Sequence, residues 1–199
     1  MRLHILEKGH RLPQKMLLWL IPILARDPSQ PPDIMRATLY RSDFFGKPFC
    51  HLFHDALRGP SSWSIAEREL FGAFISQLNA CRFCALAHGR ITAEALSDTT
   101  VQAVLEEYHT APISDKLKAM LGYLEKLTLS PSEIHPEDIG ALYAVEIGNQ
   151  AILEATYVCA LFNIINRLAD ALDFAVPPSF SSKSAKFMLK HGYKFQGGI

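Results

Sequence analysis

The chain has 199 residues, 49 % of them apolar and 20 % charged, with a formal net charge of zero. That is long enough for one domain with a sizeable core, and too apolar and too neutral for a disordered chain. The balanced charge gives no sign of a nucleic-acid or anionic-membrane partner, and four cysteines are too few for a disulfide scaffold of this size.

Near the start, Lys8, Arg11 and Lys15 precede an apolar run, Met16 to Leu24, that imitates a secretory signal. The run is too short to span a bilayer, and Ile23 and Leu24 before Ala25 do not form a small-x-small cleavage pattern. A short helix is expected, apolar all round, broken near Pro22, and buried in the core or in a subunit contact. A cytoplasmic chain without a membrane segment is the matching expectation. Cys50, His51 and His54 come next. With no second CxxC and no HxxxH to complete a zinc site, they read as core and boundary residues.

Ser64-Ile-Ala-Glu67 is a capping box, and the helix it opens carries Leu70, Phe71, Phe74 and Leu78. Asn79 is then placed to cap a second helix with Cys81 in its first turn. Thr92 begins a further stretch through Val104 and Leu105. Ser114 caps a segment with Leu117, Met120, Leu121 and Leu124, and His135-Pro136 reads as a helix start with Pro at the first position. Asn149 opens the longest pattern. Ala151, Ala155, Val158, Phe162, Ile165, Ala169 and Leu172 recur at spacings of four and three, a stripe for burial or for a subunit contact, ended by Pro177-Pro178. Beyond lie Lys183, Lys186, Lys190, His191 and Lys194 among Phe180, Phe187, Met188 and Phe195. This tail is expected to pack on a partner subunit with its lysines in water. No strand of useful length alternates apolar and polar, so the class is all-α, in a single domain over residues 1–199.

The chemistry concentrates in Cys81-Arg-Phe-Cys84-Ala-Leu-Ala-His88. On a helix each residue advances about 100°, which puts Cys84 roughly 60° and His88 roughly 20° from Cys81. All three groups share a face. Two such thiols can make and break a disulfide, and an imidazole beside them can take the proton a thiol must lose before it attacks. Glu69 lies twelve positions before Cys81, among Gly72, Ala73 and Ser76. Those small side chains would let another helix pack closely and bury the carboxylate beside the thiols. Spacing alone leaves two other readings open: a pair of ordinary core cysteines, or a metal site that lacks its fourth ligand.

Glu69, eleven intervening residues and Cys81-x-x-Cys84-x-x-x-His88 resemble the E-x11-C-x-x-C-x-x-x-H signature of alkyl hydroperoxidase D, in the carboxymuconolactone decarboxylase superfamily. The run Tyr157 to Leu172, with Asn163, Asn166, Arg167 and Asp170, looks like the C-terminal helix of the superfamily's peroxidase-related branch. The likeness covers roughly residues 35 to 177. It implies the all-helical alkyl hydroperoxidase D fold in a homo-oligomer, a trimer or a hexamer, with the terminal extensions in subunit contacts. It also implies a peroxidase that reduces hydrogen peroxide or alkyl hydroperoxides without cofactor or metal, recharged by an unidentified thiol reductant. Cys84 would attack the O–O bond, Cys81 would resolve the sulfenic acid, and Glu69 and His88 would relay the proton. Mycobacterial members place a second histidine between the cysteines, where Phe83 stands here. Decarboxylase members work without a redox dithiol, which argues against that activity. A non-catalytic redox sensor or disulfide-exchange protein would keep the dithiol and turn over peroxide negligibly.

Overall fold

A computed structural model describes residues 1–25, 32–176 and 181–194. Among the described residues every regular element is helical: α1 (Ile5–Lys8), α2 (Leu12–Ala25), α3 (Asp33–Tyr40), α4 (Lys47–Arg58), α5 (Ile65–Leu78), α6 (Arg82–Ala93), α7 (Asp98–Glu107), α8 (Asp115–Leu129), α9 (Pro136–Ala144), α10 (Asn149–Leu172) and α11 (Ser182–His191). A turn of π-helix, Ser42–Gly46, leads into α4.

The centre of the fold is α5. Its capping box forms as expected. Ser64 Oγ accepts the Glu67 N–H at 3.2 Å, and Glu67 Oε2 accepts the Ser64 N–H at 2.7 Å. Arg68 then reaches back. Its Nη1 donates to the carbonyls of Ala56 and Gly59, each at 2.9 Å, and so satisfies groups at the open end of α4. From Arg68 to Ser76 every residue of α5 is buried, with α4, α6, α8 and α10 packed around it.

The small residues of α5 do what their size permits. A Cβ on Gly72 would lie 2.0 Å from Phe162 Cζ of α10, so only glycine admits that ring. One turn on, Ser76 Oγ lies 3.0 Å from Asn166 Oδ1, a polar contact between two fully buried residues. Glu69, one turn before Gly72 on the same helix, is completely buried.

The stripe on α10 faces this core. Ala151, Ala155, Val158, Phe162, Ile165 and Ala169 are all buried. The helix begins at Asn149 with Gly148 as its cap, one residue earlier than Asn149 would place it. It stops at Leu172, before the two prolines. Asp173 adopts a left-handed conformation (φ 57°), its N–H bonds to Asp170 O, and the Phe174 N–H bonds to Ala169 O at 3.0 Å. That is a Schellman ending built on an aspartate instead of glycine. Pro177 and Pro178 lie outside the described residues. The opposite face of α10 exposes Leu153, Tyr157 and Ile164. By length and composition α10 alone, among the described helices, is apolar enough to cross a membrane. Half of its most apolar stretch is buried inside this fold.

Other expectations are corrected. The first turn after Thr92 does not start a helix. Instead α6 runs on through Ala93, and α7 begins at Asp98, where Ser97 Oγ accepts the Thr100 N–H at 3.1 Å. The apolar run near the N-terminus is helical, but α2 is neither broken at Pro22 nor buried in the core. Leu12, Met16, Trp19 and Ile23 recur at spacings of four, three and four and form an exposed face. In the basic tail, expected on a partner subunit, α11 lies against α6 of the same chain. Ala185 and Met188 are buried, while Lys183, Lys186 and Lys190 stay in water. Phe180 and Phe195 lie outside the described residues.

Candidate active site

Cys81 does not sit inside its helix. Asn79 closes α5 instead of opening α6, and Ala80 turns the chain with a left-handed φ of 56°. Cys81 is then extended, donates its N–H to Ser76 O at 2.9 Å, and is itself the N-cap of α6. Cys84 is the third helical residue, at the positive end of the helix. Both are free thiols, with 0 % and 2 % of their surface exposed.

The two sulfurs titrate as a unit. A hydrogen bond from the Cys84 thiol is the largest influence on Cys81. Together with the Cys84 peptide N–H it lowers the Cys81 pKa, against burial and the Asp170 carboxylate, which raise it. The same hydrogen bond, burial and the nearby Cys81 charge push Cys84 well above the usual thiol range. The first negative charge of the pair therefore rests on Cys81, and the remaining proton stays on Cys84. The other two cysteines lack this help. Burial lifts Cys50 to about 12 and raises Cys159 as well, which makes both poor nucleophiles.

A buried hydrogen-bonded cluster around Glu69 is assembled from four parts of the chain. Glu69 on α5, fully buried, accepts at both oxygens. His88 Nδ1 of α6 lies 2.6 Å from Oε2. Arg58 Nη2 at the end of α4 donates to Oε1 at 2.5 Å, and the Tyr193 hydroxyl, just past α11, donates to the same oxygen at 2.7 Å. Burial alone would raise the Glu69 pKa. The positive charge and hydrogen bond of His88, the Arg58 guanidinium and the Tyr193 hydroxyl outweigh it and hold the carboxyl below its ordinary value. The imidazole is fixed in orientation by Phe162 and Phe53, whose ring centroids lie 4.6 and 5.9 Å away. With Nδ1 committed to Glu69, Nε2 is the nitrogen left for a thiol or a substrate. Among the described residues no hydrogen bond joins His88 to either sulfur, so this cluster and the dithiol are neighbours one helical turn apart.

Of the four residues expected from the sequence, the structure pairs Glu69 with His88 and Cys81 with Cys84, and three further residues act on these pairs. Asp170 acts on Cys81 from the last turn of α10. Asp170 belongs to the run that resembles the peroxidase-related branch, but nothing in its spacing pointed to Cys81. Arg58 and Tyr193 had no sequence signal. Arg58 looks like an ordinary basic residue at a helix end, and Tyr193 is separated from Glu69 by 124 positions. The expected boundary role of His54 gains content, since its Nδ1 accepts the Tyr193 N–H at 3.2 Å.

The thiols lie beneath the surface. Phe83, between them, packs edge-on against Phe174 with centroids 5.4 Å apart. Arg2 donates its N–H to Leu172 O and its Nη1 to the carbonyls of Asp170 and Ala171, which lays the N-terminal segment across the end of α10. The broad groove between α6 and α7, about 790 Å³, contains Arg82, Leu86 and Arg90 and none of the site residues. Among the described residues no cluster of His, Cys, Asp and Glu is arranged to hold a metal ion.

No protein-family model and no curated protein sequence matches the chain. Solved structures do. A peroxidase-related protein from Silicibacter sp. TM1040 superposes with a TM-score of 0.73 at 23 % identity, over 85 % of this chain and 87 % of that one. An alkylhydroperoxidase AhpD core protein from Ralstonia eutropha JMP134 gives 0.69 at 22 %, over 86 % and 88 %. The debrominase Bmp8 gives 0.67 at 15 %, over 90 % and 92 %. A variant of that debrominase is bound to 2,3,4-tribromopyrrole. The chain therefore has the all-helical fold of the alkyl hydroperoxidase D-like proteins, a fold that also serves a debrominase.

Proposed function

We propose that this protein is a thiol peroxidase that reduces hydrogen peroxide or alkyl hydroperoxides through the Cys81–Cys84 pair. One observation carries the reading. Two buried thiols, one hydrogen-bonded to the other, lie at a helix N-terminus, one turn from an imidazole held by a fully buried carboxylate.

The dithiol loses one proton, and the resulting charge rests on Cys81. Proton exchange within the hydrogen bond between the two sulfurs moves that charge to Cys84 without a second deprotonation. Cys84, the sulfur one turn from His88, attacks one peroxide oxygen. The O–O bond breaks, the other oxygen takes a proton and leaves as water or an alcohol, and Cys84 becomes a sulfenic acid. His88, oriented by Glu69, moves that proton through Nε2. Cys81 then attacks the Cys84 sulfur, water leaves, and the disulfide forms. Two electrons from an external thiol restore the dithiol. Retaining a free dithiol fits a cytoplasmic location. The exposed apolar faces of α10 and α2 support assembly into a homo-oligomer of the trimeric or hexameric kind.

Steady-state consumption of hydrogen peroxide and cumene hydroperoxide with a dithiol reductant tests the reading. Turnover that is lost in Cys84→Ser supports it. Stoichiometric oxidation without turnover would instead make the protein a redox sensor. His88→Ala is expected to slow the reaction roughly 10²-fold at neutral pH, the lower end of general acid–base assistance. Higher pH should recover the part of the loss that comes from slower thiolate formation, because hydroxide then does the work of the missing base, and should not recover the part that comes from proton delivery to the leaving oxygen. A His88→Ala rate equal to wild type at every pH would remove the relay from the mechanism.

A further inference from the structure

We propose that the C-terminal segment after α11 is part of the active site, with Tyr193 a positioning residue that, together with Arg58, holds Glu69 in the orientation that keeps His88 Nε2 free. The inference rests on the reading above, in which His88 serves the thiols.

The segment is built to deliver this one hydroxyl. The chain leaves α11 through Gly192, whose φ of +69° is open to glycine and costly for other residues. A side chain there would also meet His54 Nδ1 at 2.5 Å and Arg58 Cγ at 2.8 Å. Tyr193 then donates its N–H to His54, places its ring edge-on to Phe53 with centroids 4.9 Å apart, and lies under the Arg58 guanidinium at 5.1 Å. Arg58 Nη2 ties the same segment down a second time by donating to Met188 O at 2.9 Å. Lys194 closes the link to α4 at 3.1 Å from Asp55.

The hydroxyl ends in the relay. It donates to Glu69 Oε1 at 2.7 Å and stands 3.4 Å from His88 Nδ1. Burial and the Glu69 charge push the phenol well above its ordinary pKa, so it stays a donor. The charged and titratable groups around it are Arg58 and His54 from α4, Glu69 from α5 and His88 from α6. From α10 the Phe162 ring packs against His88. Two donors on Oε1 leave Oε2 as the partner of Nδ1, and they draw charge away from that oxygen. The imidazole is thereby fixed in one tautomer and gives up its second proton more readily. Phenylalanine would fill the same space without doing this.

The test is the pH dependence of iodoacetamide alkylation of the reduced protein, with Tyr193→Phe against wild type. With one donor gone, the Glu69 charge holds the His88 proton more tightly. The rise in alkylation rate should then move to lower pH by up to about one unit, because a more basic imidazole favours the thiolate beside it, and kcat for peroxide should change more at pH 6 than at pH 8 with KM unchanged. Arg58→Lys keeps a charge beside Glu69 and loses the fork, so it should shift the profile the same way and serves if Tyr193→Phe does not fold. A folded variant with a profile superimposable on wild type would overturn the proposal. The pH response of the His88 ring signals by NMR separates the two layers of the argument. If His88→Ala alkylates like wild type, the relay does not serve the thiols and drops out of the proposed mechanism. Ring signals that move with Tyr193→Phe would still establish the contribution of the strap, and ring signals unmoved by it would refute it.

Discussion

Cys84→Ser is expected to abolish peroxide reduction, and Cys81→Ser to permit a single turnover that ends in a sulfenic acid on Cys84, trappable by dimedone. The prediction is sharp because the resting charge lies on the other sulfur. Cys81 is the thiol whose pKa is lowered, and Cys84 is the one raised. If resting charge alone chose the nucleophile, Cys81 would attack and Cys84 would resolve. The assignment to Cys84 depends on two things: the shared proton can change sides within one hydrogen bond, and Cys84 lies one turn from His88. In Cys81→Ser that exchange is lost, so the single turnover should be slower than the first turnover of wild type. A Cys81→Ser protein that cannot react at all, beside a Cys84→Ser protein that forms a sulfenic acid, would reverse the roles and leave the dithiol chemistry intact.

Glu69→Gln is expected to cost stability as well as rate. Glu69 is 0 % exposed, and its two oxygens hold three donors, one of them the guanidinium of Arg58, whose side chain is 5 % exposed. Removing one partner of a buried pair leaves the other charge uncompensated, at a cost of about 3–5 kcal/mol. Urea unfolding at pH 7 should show a loss of that order. Its sign with pH is fixed by the direction of the shift. The folded carboxyl is held below its ordinary value. Its contribution is therefore fully present above the unfolded pKa of about 4.3, and it fades as pH falls through the folded value. The gap between wild type and Glu69→Gln should be constant near neutrality and should close in acid. A variant as stable as wild type at pH 7 would mean that Arg58 finds another partner and that the buried pair is not the anchor of the site.

Much of this site was legible from spacing. The helical arithmetic that puts Cys81, Cys84 and His88 on one face survives even though Cys81 caps the helix instead of lying inside it. Gly72, Ala73 and Ser76 announced a close helix, and α10 supplies it with Phe162 against Gly72. What stayed hidden has two physical causes. The junction of α5 and α6 turns on Ala80 in a left-handed conformation, which alanine adopts only under tertiary constraint, so local propensity pointed to Asn79 as a cap. Arg58 and Tyr193 act across sequence separations of 11 and 124 residues. No periodicity records such contacts, and the tail that carries Tyr193 looked like a basic amphipathic segment for another subunit. The outer faces of α2 and α10 are the reverse case. Their apolar periodicity is plain in the sequence, yet within a single chain it faces solvent.

The most direct test of the central claim is the mass of the Cys81–Cys84 peptide after reduced protein meets one equivalent of peroxide in the absence of reductant. The account predicts a peptide lighter by two hydrogens, blocked to alkylation until a dithiol is added, with Cys50 and Cys159 unchanged as thiols. A peptide that keeps both thiols while the peroxide remains unconsumed, or oxidation spread equally over all four cysteines, would contradict it.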